Sequence, residues 1–129
     1  MFYAFAHTVL TTHIVTAPAR VEMELTEGVI HQVDVLFESG CNYLANVQIW
    51  QGGHQLWPSN RGKTLTGNAI VVSFREFHEL TAGKNDLHAL IWGDGVIDSV
   101  QVVIQMGLLP KSVLMPMSFK ELLRAATGV

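Results

Sequence analysis

The stretch Arg20–Phe37, RVEMELTEGVIHQVDVLF, decides the fold. Val21, Met23 and Leu25 alternate with Glu22, Glu24 and Thr26, the period-two pattern of a strand with one face in the core and one in water. Glu27-Gly28 supplies a turn, since glycine accepts positive φ. The second half then places Val29, His31, Val33, Val35 and Phe37 on one face, and Ile30, Gln32, Asp34, Leu36 and Glu38 on the other. Two alternating runs joined by a tight turn read as antiparallel strands.

The same grammar repeats along the chain. Ala6–Val15 is rich in β-branched residues and is expected to form a first strand. Asn46–Trp50 and His54–Trp57 flank Gly52-Gly53, a pair suited to a hairpin turn. Pro58 cannot donate to a ladder and ends the second of these strands. Strands are also expected over Ala69–Phe77, with Ile70, Val72 and Phe74 on one face, over Leu87–Trp92, and over Asp98–Met106. In the last, Val100, Val102, Ile104 and Met106 share a face. About eight strands with no helix between them describe an antiparallel β-sandwich, jelly-roll-like, and exclude βαβ units.

The C-terminal part reads differently. Residues 1–106 form the sandwich domain, and 107–129 an extended connector followed by a helical arm. Pro110 and Pro116 punctuate the connector. Ser118 and Glu121 make a capping box. Phe119, Leu122, Leu123 and Ala126 then fall at helical spacing and give one apolar stripe. A helix this short is marginal alone, so the stripe is expected to dock, on its own sandwich or on a neighbouring chain.

Composition narrows the function classes. Of 129 residues, 49% are hydrophobic and 15% charged, the reverse of a disordered chain. The net charge of −3 carries no basic cluster, so nucleic acid is not an expected partner. A single cysteine, Cys41, excludes an internal disulfide and is expected as a buried thiol. No stretch matches a signal peptide or a membrane helix, so no membrane partner is expected. The six histidines show no metal-ligand spacing, and no GxSxG, P-loop or GxGxxG motif occurs. Neither catalysis, nor a metal, nor another cofactor is expected.

Trp50 and Trp57 remain. Strict alternation puts both opposite Val47, Ile49 and Leu56. There they could stack on sugar rings, anchor a subunit interface, or pack under the loop Ser59–Asn68. Internal packing is the plainest reading, the interface next, carbohydrate third. Trp50, Trp57, Phe119, Leu122, Leu123 and Ala126 are accordingly the interface candidates.

Taken together, GVIHQVDVLFESGC (28–41), HQLWPSN (54–60), SFREFHEL (73–80) and GLLP (107–110) resemble a group of short β-sandwich proteins, many of them encoded by bacteriophages. The resemblance spans Glu24–Pro110 and brings no catalytic residues. It implies a structural virion component, a capsid decoration or minor head or tail protein, made in the host cytoplasm. Such a protein would associate with itself and with another virion protein. The alternative is a carbohydrate-binding module using the two tryptophans.

Overall fold

The computed structural model describes residues 1–94 and 99–110. These hold eight strands: β1 (Phe2–Val9), β2 (Ala19–Glu24), β3 (Gly28–Phe37), β4 (Ala45–Gln51), β5 (His54–Trp57), β6 (Ile70–Leu80), β7 (Asp86–Gly93) and β8 (Val100–Pro110). They form two antiparallel four-stranded sheets, ordered β1-β8-β3-β6 and β2-β7-β4-β5. The pairing is nested: β1 with β8, β2 with β7, β3 with β6, and β4 with β5. Two further ladders, β3 with β8 and β4 with β7, complete the sheets.

The core lies between the sheets. From one side come Val33, Val35, Phe37, Val102, Ile104 and Met106, all at most 2% exposed. From the other come Met23, Leu87, Ala89, Ile91, Val47 and Ile49, all at most 1% exposed. Burying a side chain of this kind is worth about 1.5–3 kcal/mol relative to leaving it in water. The alternation in Val21–Leu25 and Val100–Met106 therefore pointed these residues the right way.

Three expectations are corrected. The first strand is Phe2–Val9 and not Ala6–Val15, because a turn at Thr11-Thr12 interrupts the β-branched run. Within it Tyr3 and Phe5 pack on the core and Val9 is fully buried. Second, β8 does not stop at Met106. Gly107–Pro110 continue it, pairing with Gln32, Ile30, Val29 and Gly28. The sandwich thus reaches four residues into the expected connector. Residues 111–129, including the expected helix with Phe119, Leu122, Leu123 and Ala126, lie outside the described residues.

The third correction concerns the deciding stretch itself. The β3 register shifts between Ile30 and Gln32 in both of its ladders. An extra residue in a strand resets which face the following side chains take. Val33, Val35 and Phe37 point inward as expected, but beyond the shift Ile30, and not His31, enters the core. His31 lies half-buried beside Phe2, their rings edge-to-face with centroids 5.9 Å apart. Gly107 makes room for it, since a Cβ there would sit 2.8 Å from both His31 Nε2 and Phe2 Cε1.

Gly28 marks the other tight approach. Its φ is +153°, and a Cβ would come within 2.2 Å of the Leu109 carbonyl oxygen. Backbone cannot yield as a side chain can. Gly28→Ala should therefore lower unfolding stability by about 2–4 kcal/mol, read by urea denaturation. A loss under about 1 kcal/mol would contradict this close packing of β3 on β8.

Candidate functional site

The two tryptophans do not share a face. Trp57 is 5% exposed and belongs to the core cluster with Val47 and Ile49. The reason is a register shift between Ile49 and Trp50: Ile49 pairs with Trp57, but Trp50 pairs with Gln55. Leu56 is the extra residue, so strict alternation through β5 fails. Trp57 packs against Phe74 and His78 of β6, with ring centroids 5.8 and 5.7 Å away. It joins the two sheets along this flank.

Trp50 lies half-buried on the outer face of the β2-β7-β4-β5 sheet. Its ring is nearly parallel to that of His88, with 16° between planes and centroids 6.3 Å apart. Its indole N–H donates to Gln48 Oε1 at 3.1 Å. Around it Asn46, Gln48 and Gln55 are only 6–7% exposed. The residues after Pro58 wrap these amides. Gln55 Nε2 donates to the Pro58 carbonyl at 2.8 Å, Gln48 Nε2 donates to the Lys63 carbonyl at 3.0 Å, and Thr64 Oγ1 donates to Asn46 Oδ1 at 2.8 Å. Buried amides must be satisfied, and here they are satisfied internally. They hold the loop rather than offer donors to a ligand.

The outer face of the other sheet is different. The exposed large apolar residues that sit on strands are Phe2, at 64%, and Ile70, Val71 and Phe77, at 49–51%. All four belong to β1 and β6, the edge strands of the β1-β8-β3-β6 sheet. The ladders align Ala6, Val103, Leu36 and Val71 in one row across the sheet. A shallow depression of about 420 Å³ lies there, with Leu36, Ile70, Val71 and Val103 among its walls. Sequence reading overlooked this surface. The available signal was Ile70-Val71-Val72, a run with apolar residues on both faces of one strand.

Among the described residues, no group of three or more His, Cys, Asp or Glu is placed to hold a metal ion. Cys41 is fully buried, and burial pushes its thiol pKa up, away from nucleophile behaviour. His7 lies beside His13, with ring centroids 5.0 Å apart, and its Nε2 is buried with no hydrogen-bond partner. His13 Nδ1 accepts from the Leu10 amide at 3.1 Å. In the neutral ring that leaves its Nε2 protonated and unable to ligate a metal. Burial, and then His13, holds the His7 pKa below its ordinary value. Burial likewise lowers His78 and His88. No protein-family model matches the chain, and no curated protein matches it.

Two outcomes are expected. Trp57→Ala should lower stability by about 3–5 kcal/mol, as an emptied aromatic core site does. Trp50→Ala should cost only about 1–2 kcal/mol. Equal losses in denaturant melts would contradict their different placement. The histidines set a pH dependence. With folded pKa values below the unfolded value of about 6.5, the unfolded chain takes up protons first as pH falls through that value. Stability should therefore be full above it and decline below it. Melting temperatures from neutral pH downward measure this, and His7→Phe should flatten part of the slope.

Proposed function

We propose that the protein is a structural component that works by self-association and by docking on a larger assembly. Virion decoration proteins and minor head or tail proteins work in this way. The observation that carries this reading is the segregation of exposed apolar residues. Ile70 and Val71 of edge strand β6 line the depression with Leu36 and Val103, while Phe2 lies on the opposite edge strand and Phe77 farther along β6. Single exposed apolar residues are ordinary, but apolar residues gathered around one depression suit a contact surface.

The nested pairing of strands is jelly-roll-like. That architecture serves capsid and lectin domains alike, so the fold does not choose between assembly and sugar binding. The surfaces support assembly better. A sugar platform on Trp50 and Trp57 needs two exposed indoles, and Trp57 is 5% exposed. The amides around Trp50 are already engaged by the protein's own loop.

Light scattering coupled to size exclusion tests the reading. The full chain at micromolar concentration is expected to run as a dimer or larger. A strict monomer that shows no association as concentration rises would overturn the proposal. Retention on polysaccharide without self-association would favour the sugar module instead.

A further inference from the structure

Strand β6 ends its sheet and carries the segment Phe74–Leu80, FREFHEL. Read outward from Phe77, this segment sets one pair of opposite charges, Arg75 and Glu79, symmetrically about its centre. One residue away lie Glu76 and His78, two away Arg75 and Glu79, three away Phe74 and Leu80, four away Ser73 and Thr81. We infer that β6 pairs antiparallel with β6 of a second copy, with Phe77 on the two-fold axis. This deepens the assembly reading above and rests on it.

The register follows from geometry. An antiparallel pair related by a two-fold axis sets each residue opposite the one equally far from the axis on the other side. With Phe77 on the axis, Arg75 of one copy faces Glu79 of the other, and Glu79 faces Arg75. Glu76 falls opposite His78, whose ring is turned toward Trp57 and Gln51, and Phe74 falls opposite the buried Leu80. The contact between the exposed Arg75 and Glu79 occurs twice. Moving the axis by two residues keeps the faces matched but loses the complementarity. On Arg75 it opposes two arginines, and on Glu79 two glutamates.

The side chains are placed to take part. Arg75, Glu76 and Glu79 are exposed, Phe77 is 51% exposed, and His78 is half-buried. Charged groups on an edge strand usually deter pairing with foreign strands. Here the same charges match a second copy of the same strand, which gives discrimination along with attraction. The main-chain ladder supplies affinity, as in strand addition to sheet edges generally. The product is a continuous eight-stranded sheet across two molecules, with the Val71 patches of both on one outer surface.

Charge reversal tests the register in the full-length protein. Arg75→Glu opposes Glu79 of the second copy at both contacts, and Glu79→Arg opposes Arg75 at both. Each variant should associate roughly tenfold to thirtyfold more weakly, with an unchanged melting temperature for these exposed positions. An equimolar mixture of the two should recover association, because the mixed pair restores opposite charges at both contacts. The double variant R75E/E79R should recover it as well. Phe77→Cys should form a disulfide-linked dimer on mild oxidation, since Cα atoms facing across an antiparallel pair lie about 4.5–5.5 Å apart. Cys41 is fully buried and does not compete. If the wild type associates but single reversals leave it intact, or mixing rescues nothing, this interface is wrong while self-association stands. A contact made through residues 118–128 would give that result. If the wild type is monomeric, the assembly reading fails and this inference fails with it.

Discussion

The pairing of β3 with β8 is the constraint on which the rest of the sandwich depends. Both strands lie inside the β1-β8-β3-β6 sheet, so their amides and carbonyls must be satisfied on two sides. Their facing residues, Val33 with Met106, Val35 with Ile104 and Phe37 with Val102, form the floor of the core. β1 and β6 can add only because this central pair presents two regular edges. The second sheet then packs its own apolar row onto the same floor.

That seam is also where simple reading of the sequence stops. Alternation assigns faces correctly while each residue opposes one partner, as in Val100–Met106. It fails where a strand carries an extra residue. The register shift beside His31 turns Ile30 inward and leaves the histidine next to Phe2. The shift beside Trp50 likewise sends Trp57 into the core. Neither shift has a local signature, because each arises from pairing with a strand elsewhere in the chain. Gly107 of β8 is the trace of the first, a small residue standing where His31 comes close. The first strand departs from expectation for another reason: β-branched propensity favours Ala6–Val15, whereas the alternation of Phe2–Val9 is the better guide.

The site was less legible than the fold. Tryptophan content drew attention to the Gly52-Gly53 hairpin, whose tight turn is indeed formed, with Gln51 facing His54 and Gly52 at φ +57°. Its indoles, however, are placed differently. One bridges the sheets and the other caps a hydrogen-bonded row of amides. The contact surface proposed instead is spread over β1, β8, β3 and β6, and no short window of sequence contains it. Only the registers reveal that Ala6, Val103, Leu36 and Val71 form one row.

Folding alone gives no reason for that row. Leu36 and Val103 face away from the core, and polar residues there would satisfy the strand pattern equally well, as Asp34 and Gln105 do one row along. On the opposite sheet the outer positions facing the loop are amides, each tied down by hydrogen bonds. The molecule thus finishes one outer face internally and leaves apolar surface on the other. An edge strand flanking such a face is exposed to unwanted pairing unless something discriminates among partners. In the proposed interface Arg75, Glu76 and Glu79 would discriminate at the edge, and the neighbouring apolar row would add area. On the proposed assembly reading, specificity and adhesion fall to different residues of adjoining surface, the division expected where a small protein must join one partner and no other.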